Sequence, residues 1–406
     1  MKKHALAPLS RLCPIILAAL LLILPRVGSA QTPTPAPEAV PVTIPDTMPP
    51  AANYRIQYNG LVDGYYLFQT RNAKSGTTLT GRVYDLRQTT LTLAMAEINV
   101  FQNARPSGIG FKATLVTGDD TDINHYDFEG ASGGRGEAQF KNIQQLYGTY
   151  ALGADGAGLD FGKLVTPFGY EPIEASGNNN YSHSIPFGLL PTYNVGVRLY
   201  TPGSALGIKG LVATFYLVNA LYNTQSAGIR DDNGRPAYIG QLTYTDPKGK
   251  LTLISTLGLA KDKFDFAAFS ATSTNSKETL TDNDFSYALS NNLSLGVNYV
   301  YAKFQPENGA KQTLNALALY YHQTLTPKTG FGLRFSGTKL KTEGANLQPK
   351  PYEITATYLI KPAPNFTTYL EYRHDGTNVA DSFLGSGSHL TQRSQDTLTV
   401  AGVFQF

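Results

Sequence analysis

The residue types best suited to catalysis lie in the short stretch "YSHS", in which His183 is flanked by Ser182 and Ser184. A serine nucleophile needs a histidine base within hydrogen-bond reach and a third group that orients the base. Side chains that are adjacent in sequence on a loop do not produce that arrangement, and the sequence offers no evident third partner. A hydrolytic centre is therefore an alternative that needs support from the geometry.

A second group with chemical potential is the acidic stretch "TGDDTDINHYD", residues 117–127, which contains Asp119, Asp120, Asp122 and Asp127. Carboxylate oxygens are the ligands that calcium prefers. The spacing, however, does not match a known calcium-loop motif. We expect a solvated loop, with no metal site and no cofactor, although the sequence leaves calcium binding at 119–127 open.

The elements that position these side chains are strands. From Tyr54 onward, segments of about ten residues alternate apolar with small or polar residues, which is typical of a strand with two different faces. In "LSLGVNYVYAKF" the residues from Leu293 to Tyr301 at odd positions are apolar or aromatic, and Ser294 and Asn298 lie on the opposite face. Sixteen such segments can be marked, and no convincing helical period is found.

The connections between these segments alternate strictly between short and long. Turns such as "TDPKGK" and "KPAPN" are short and rich in Gly, Pro, Asn and Asp, whereas 166–192 and 261–281 are long and polar. A soluble β-sandwich, the alternative fold, has no reason to place its longer loops at one end. The sequence therefore predicts an all-β fold: a transmembrane, antiparallel, up-and-down β-barrel of about 16 strands, with short periplasmic turns and long external loops.

The N-terminal region differs from the barrel in composition. Residues 1–30 have a basic start, a short apolar run and the ending "VGSA", which is typical of a secretory signal peptide and too short for a membrane-spanning helix. Residues 31–53 are rich in proline and predict an extended periplasmic linker. The barrel domain is then expected at 54–406, in the outer membrane of a Gram-negative bacterium.

Cleavage after residue 30 would change both the cysteine content and the charge of the chain. It would remove the only cysteine, Cys13, and leave 29 Lys and Arg residues against 30 Asp and Glu residues. A nearly neutral exported chain has no electrostatic footprint for nucleic acid. The expected partners are instead outer-membrane lipid and small hydrophilic solutes or ions.

Residues 162–202, "GKLVTPFGYEPIEASGNNNYSHSIPFGLLPTYNVGVRLYTP", resemble the OmpL-like outer-membrane β-barrel porins of Gram-negative bacteria. The resemblance consists of a Gly-Lys strand end, a Thr-Pro-Phe-Gly turn with a following Glu, an aromatic-Ser pair and a strand that opens with Gly-Val-Arg. The matching residues are Gly162, Lys163, Thr166, Pro167, Phe168, Gly169, Glu171, Tyr181, Ser182, Gly196, Val197 and Arg198. The resemblance implies an aqueous channel for passive diffusion, without catalytic residues. A lipase-like barrel enzyme and a surface adhesin are the alternatives.

In general porins that this chain resembles, the loop after the fifth strand folds into the barrel, and here that loop is 166–192. It carries Glu171, Glu174 and His183. Strand parity places further charges on the lumenal face, because a charge on the lipid face would cost about 2–4 kcal/mol at the midplane. These wall residues are Arg198, Arg334, Glu353, Glu371 and Arg373. We expect all eight residues to form the pore constriction and set its selectivity; the alternative is that they only pair with one another in a wet interior.

The chain ends in "LTVAGVFQF", which predicts a strand with Phe404 and Phe406 in the periplasmic aromatic belt. In similar porins such a terminal Phe resembles the signal that the barrel-assembly machinery recognises. The same parity leaves Val403 unexplained on the wet face, and it predicts Lys163 as a rim residue that reaches to lipid headgroups. Trimers are common among similar porins, so a homotrimer is compatible with the resemblance, while the solute and gating are not fixed by the sequence.

Overall fold

A computed structural model of the chain describes residues 54–70, 78–124, 142–222, 233–265, 270–384 and 389–406. The predicted signal peptide at 1–30 and the predicted linker at 31–53 lie outside the described residues. Within the described ranges, no helix has the length and apolar character that a membrane span requires.

The described residues form sixteen barrel strands and a few short elements in the connections between them. The strands are β1 (Gln57–Gln69), β2 (Leu91–Gln102), β3 (Ile109–Thr117), β4 (Ile143–Ala151), β5 (Gly158–Val165), β6 (Tyr193–Pro202), β7 (Leu211–Val218), β8 (Ala237–Thr245), β9 (Leu251–Asp265), β10 (Ser270–Ser290), β11 (Leu293–Pro306), β12 (Gln312–Thr326), β13 (Thr329–Thr342), β14 (Tyr352–Ala363), β15 (Phe366–Gly376) and β18 (Ser394–Gln405). A small hairpin of β16 (Phe383–Leu384) and β17 (Leu390–Gln392) precedes β18, and a short helix α1 (Asp119–Asn124) follows β3.

The barrel strands form one closed antiparallel sheet in which each strand pairs with the next along the chain. The last strand, β18, closes the ring by pairing with both β15 and β1, so that Val400 lies opposite Leu370 on one side and Tyr66 on the other. Lipid cannot hydrogen-bond a free sheet edge, and closure pairs every edge. The predicted sixteen-stranded antiparallel barrel is confirmed.

Side chains along each strand alternate between an exposed outer face and a buried inner face. In β18, Leu398 and Val400 are 46% and 54% exposed, whereas Thr397 and Ala401 are 0% and 3% exposed. The exposed side chains are apolar, as a lipid-facing surface requires. The faces predicted from sequence parity therefore agree with the faces of the barrel wall.

The interior of the barrel contains apolar clusters as well as polar groups. Val403 faces inward and packs in one such cluster with Leu61, Tyr369 and the loop residue Ile173. Burying apolar surface against a loop inside the barrel is favourable for the same reason as in any protein core. This cluster explains an apolar residue on the lumenal face of the last strand.

The C-terminus is fixed to the first strand. The backbone N–H of Phe406 donates to the carbonyl of Gly60, and the N–H of Gly60 donates to the carbonyl of Phe406, both at 3.0 Å. The rings of Phe404 and Phe406 stack with centroids 6.3 Å apart and stay 41% and 54% exposed on the outer face. These positions fit an aromatic belt, and recognition of the terminus by the assembly machinery stays a prediction.

One predicted connection is wrong. The segment 261–281 was expected to be a long loop, but β9 continues to Asp265 and β10 begins at Ser270. Within this extension Lys261 pairs with Lys277 and Asp262 pairs with Ser276. Polar composition indicated a loop, yet threonine-rich segments favour strands wherever both faces meet a polar environment. Strands β9 and β10 are therefore longer than the sequence suggested.

The motif at the end of β5 has a steric explanation. Gly162 has a φ of 141°, and a Cβ atom there would lie 2.2 Å from the carbonyl oxygen of Leu146, so only glycine fits. The next residue, Lys163, is buried; its ammonium group donates to the carbonyl of Ile143 and lies 4.1 Å from the ring centroid of Tyr193. The prediction that Lys163 reaches lipid headgroups is wrong, because nearby protein groups bind its ammonium group.

Candidate functional site: a loop fastened across the barrel

The loop 166–192 leaves β5, enters β6 and extends across the lumen between those two points. Its ends are joined by a hydrogen bond from the Thr166 N–H to the Thr192 carbonyl, at 3.1 Å. Within the loop, the Asn180 amide donates to Thr357 of β14 at 2.7 Å, and the Tyr181 hydroxyl donates to Asp63 of β1 at 3.0 Å. Strand β14 lies on the opposite side of the ring from β5 and β6, and β1 lies four strands from β5. The loop therefore crosses the interior of the barrel.

Arg334 of β13 is the central contact between the loop and the wall. Its guanidinium group binds Glu171 of the loop and Glu353 of β14, each at 2.8 Å, and also binds the carbonyl and hydroxyl of Ser182. The side chains of the two ion pairs are 0–3% exposed. Burial alone would raise the pKa of Glu171, but the charge of Arg334 and the hydrogen bonds from Ser184 outweigh it and hold that pKa below its usual value. Glu171 is therefore ionised and held in place.

Two further wall residues on β15 bind the loop backbone. The carboxylate of Glu371 accepts the N–H groups of Tyr181 and Ser182, at 2.6 and 3.1 Å. Arg373 donates to the carbonyl of His183 at 2.6 Å and pairs with Asp375 at 2.7 Å. Charged groups make hydrogen bonds about twice as strong as neutral ones. These contacts hold the backbone of the loop against strand β15.

The structure thus brings together six of the eight residues predicted from the sequence, and it separates two. The six residues of this loop anchor are Glu171, His183, Arg334, Glu353, Glu371 and Arg373. All six are buried, so their contacts are with one another and with the loop. Whether they set ion selectivity stays a prediction.

Glu174 contacts a different part of the barrel wall from the loop anchor. Its carboxylate accepts a hydrogen bond from Gln144 of β4 at 2.7 Å, and it interacts with Glu97 of β2. Glu97 in turn accepts from Asn99 at 2.5 Å. Sequence reasoning missed Glu97, although its position on the lumenal face of β2 follows from the same parity that identified the other wall charges.

Arg198 of β6 forms a separate site with Asp160 of β5. Its Nε atom lies 2.7 Å from the Asp160 carboxylate, and its guanidinium group is 5.6–6.0 Å from the ring centroids of Tyr147, Tyr200 and Tyr216. The side chain of Arg198 is 15% exposed, whereas that of Arg334 is fully buried. Arg198 is therefore a wall charge that solvent can reach.

A second external connection, between β1 and β2, also extends inward. Arg82 in this connection binds Asp85 at 2.5 Å and binds Asp375 of β15 at 2.9 Å. Tyr84 packs edge-on against the His183 ring, with centroids 4.9 Å apart. The sequence carried no signal for this contact, because Arg82 and Asp375 are 293 positions apart.

His183 has a structural role in the described residues. Its Nε2 atom donates to the carbonyl of Pro172 at 2.8 Å, and its ring lies 4.2 Å from that of Phe187. The Ser182 hydroxyl accepts from Arg334, and the Ser184 hydroxyl accepts from Tyr320. Within the described chain His183 makes no hydrogen bond to either serine hydroxyl, so the geometry gives no support to a serine–histidine catalytic pair.

The acidic stretch begins in the helix α1. There Asp119 pairs with Arg87 at 3.1 Å, while Asp127 lies outside the described residues. Among the residues that the structure describes, no group of three or more His, Cys, Asp and Glu side chains could hold a metal ion.

Burial of His183 leads to a prediction about pH. Burial lowers its pKa below the ordinary value of about 6.5, so the docked loop binds fewer protons than a released loop as the pH falls below that value. Docking is then weakened on acidification from about pH 7 to pH 5. Because the pKa of Glu171 is also lowered, its contribution is lost only at a more acidic pH. We expect single-channel recordings to show more frequent loop opening at pH 5 than at pH 7.

The control for this prediction is His183→Gln, which keeps a polar side chain but does not titrate in this range. Its opening frequency should be nearly the same at both pH values. An equal pH dependence in the variant and the wild type would show that another group is responsible.

Taken together, a closed antiparallel barrel with an apolar outer face and a loop fastened inside it defines an outer-membrane porin class of protein. The chain matches the family model described as "Putative beta-barrel porin-2, OmpL-like" over residues 55–406 and belongs to that family. Its predicted family resemblance is confirmed, and the protein is an outer-membrane porin. Among curated proteins, none matches this chain.

Three solved structures with the same fold are distant from this chain in sequence. The anion-selective porin from Comamonas acidovorans is 14% identical, with a TM-score of 0.56 over 87% of this chain and 99% of that chain. The outer membrane channel DcaP of Acinetobacter baumannii is 12% identical, with a TM-score of 0.55 over 89% and 99%. The trimer form of OmpT of Vibrio cholerae is 11% identical, with a TM-score of 0.56 over 87% and 99%. At these identities the likeness establishes the fold.

Proposed function

We propose that the barrel passes small hydrophilic solutes and ions by passive diffusion and that the loop 166–192 narrows the passage. The observation that carries this proposal is the attachment of the loop to the opposite wall through Arg334, Glu371 and Arg373. A loop fixed at such distant points narrows the lumen for as long as it is docked. Barrels of this strand number are wide enough to leave an aqueous channel when a loop occupies part of the lumen.

The passage that remains lies along strands β3 to β6 in this proposal. On that side the lumenal side chains of Lys112, Tyr147 and Arg198 keep partial solvent exposure, whereas the loop anchor on β13 to β15 is buried. Water therefore reaches the wall at Arg198, Tyr147 and Tyr200, whereas Tyr216 is buried. The aromatic rings there offer apolar contact, and the guanidinium group offers a charge to passing ions.

Conductance in a planar bilayer tests the function directly. Purified full-length protein should produce stepwise ion conductance, and its absence would contradict the channel. The lipase-like alternative predicts hydrolysis of lipid esters that is lost in Ser182→Ala. An adhesin predicts binding to a surface partner without conductance. The geometry around His183 favours a non-catalytic role.

The assembly state forms part of this proposal. A trimer form exists for the structurally similar OmpT of Vibrio cholerae, which supports a homotrimer for this chain. Light scattering of the detergent-solubilised protein would give three times the chain mass. A mass equal to one chain would contradict the trimer and leave the channel proposal intact.

Arg198 provides the test of ion selectivity. Replacing it with alanine removes a cation that solvent partly reaches and leaves the Asp160 carboxylate without its ion-pair partner. We expect the ratio of cation to anion permeability, measured from the reversal potential in a salt gradient, to rise by about twofold or more. Arg87→Ala at the external rim is the matched control, because its side chain is 46% exposed and far from this wall. Equal reversal potentials in wild type and Arg198→Ala would exclude Arg198 from selectivity.

A further inference from the structure

Lysine residues cluster on the outer face of the barrel at the external ends of β9 to β13. This outer lysine patch consists of Lys261 on β9, Lys277 on β10, Lys303 on β11, and Lys339 and Lys341 on β13. Each lysine is an even number of residues away from an outward-facing residue of its own strand, and therefore lies on the same face. Examples of such outward-facing residues are Tyr299 on β11 and Phe335 on β13, which are 41% and 42% exposed. The lysines therefore point away from the lumen.

The patch lies at the height of the outer membrane boundary. On β11 the outer face reads Leu295, Val297, Tyr299 and Tyr301 before it reaches Lys303. Eight residues at about 3.4 Å each, tilted by about 40°, rise about 21 Å. The apolar belt of such barrels is about 25 Å tall. Lys303 thus emerges where the acyl chains of the outer leaflet end and its headgroups begin.

The strand register crowds these cations together. Lys261 lies directly opposite Lys277, and Lys303 and Lys341 both lie opposite Thr313 from its two sides. Opposite residues in an antiparallel pair have Cβ atoms about 5 Å apart, and like charges there are destabilising. Lys303 and Lys341 are two strands apart, about 10 Å. A crowded set of like charges is tolerated best where an anion covers it.

Few acidic groups of the chain neutralise the patch. In the described residues Lys261 pairs with Glu307 at 2.6 Å, and none of the other four lysines has an ion-pair partner.

Neutral polar side chains lie between the lysines on the same face: Thr279 and Thr313 flank Lys303, and Asn315 lies opposite Lys339. The surface therefore combines cations with hydroxyl and amide groups, which is the chemistry that binds phosphate and sugar oxygens.

Near β1 to β3, the outer face of the barrel at the external rim is apolar. Near the external ends of β1, β2 and β3 it carries Phe68, Leu93 and Leu115, which are 41–48% exposed. The patch is therefore confined to one side of the barrel, where the strands extend furthest outward.

We propose that the outer lysine patch binds the phosphate groups of outer-leaflet glycolipid of the lipid A type. Basic clusters at a membrane surface attract anionic lipid headgroups, with about fivefold in affinity for each lysine near the surface. The apolar residues directly below the patch would contact the acyl chains of the same lipid. A free phosphate ion would lack that second contact, so the lipid is the ligand that fits both parts of the surface.

The test measures lipid A bound to the full-length barrel in detergent by native mass spectrometry. The variant Lys303→Gln, Lys339→Gln, Lys341→Gln is compared with a matched control, Lys248→Gln, Lys250→Gln, Lys328→Gln, whose three exposed lysines lie at periplasmic turns. Bisphosphorylated lipid A should bind the wild type and the control equally, and should bind the patch variant about tenfold more weakly or worse. Dephosphorylated lipid A should bind all three proteins weakly.

Three results would overturn the proposal: equal binding of lipid A by the patch variant and the control, equal binding of the two lipids by the wild type, or full displacement of lipid A by millimolar inorganic phosphate. Single-channel conductance of the patch variant should match that of the wild type. The proposal does not depend on the channel, since the lysines lie on the outer face, so its failure and the failure of the channel are distinguishable.

Discussion

Replacing Arg334 with methionine is expected to release the loop 166–192 from the wall and to raise single-channel conductance by about twofold or more. The change removes the cation that holds Glu171 and Glu353 and leaves two buried carboxylates without their partner. Breaking a buried ion pair from one side costs about 3–5 kcal/mol. Undocking the loop exposes both carboxylates to water and relieves that cost, so the open arrangement becomes the stable one.

The matched control for this prediction is Arg87→Met. Arg87 also pairs with a carboxylate, that of Asp119, but its side chain is 46% exposed, and exposed pairs contribute about 0–1 kcal/mol. Its conductance should equal that of the wild type. Both variants should retain the barrel, as judged by the heat-dependent shift in gel mobility. A steady conductance of wild-type size in Arg334→Met would contradict the role of Arg334 in fastening the loop.

Replacing Gly332 with valine is expected to have a similar effect by a steric route. A Cβ atom at Gly332 would lie 2.5 Å from the carbonyl oxygen of Asn179, a backbone atom of the docked loop. The loop must then move, and the bonds from Asn180 to Thr357 and from Tyr181 to Glu371 would be lost with that movement. We expect a larger and less steady conductance, recorded in the same bilayer assay.

Gly240→Val is the control for this steric change, because no heavy atom lies within 4 Å of a Cβ at Gly240. That variant should conduct like the wild type. The double variant Arg334→Met, Gly332→Val gives a further test. Since both changes release one loop, their effects should fall well short of additive. Full additivity of the two conductance changes would mean that they act on different structures.

Periodicity in the sequence was sufficient to predict which side chains of the barrel wall face the lumen and which face lipid. Arg334 and Glu353 were assigned to the lumenal face from parity alone, and they lie there. The reason is physical: a strand has a two-residue period, and lipid excludes charge from one of its two faces. The same rule placed Val403 inside, where the structure supplies the apolar cluster that explains it.

The contacts of the loops inside the lumen could not be predicted in the same way. The loop position of Arg82 gave no indication that it binds Asp375, because a loop has no period and its partner lies far along the chain. The burial of Glu171 and Arg334 could not be predicted from the sequence either. Strand parity shows whether a side chain faces the lumen or lipid, but it does not show whether the lumen at that point holds water or a docked loop. Composition misled at 270–281, where polar residues form a strand.

The attachment of the loop has a consequence for the order of assembly. Glu171 lies 163 positions before its partner Arg334, and Ser182 lies 189 positions before Glu371. Contacts between such distant residues close long chain segments and form late in folding. The anchoring surface exists only after β13, β14 and β15 have joined the ring, and the ring is complete only when β18 pairs with β1. We therefore expect a newly inserted barrel to be wide first and narrow afterwards, so that its permeability falls when the loop docks.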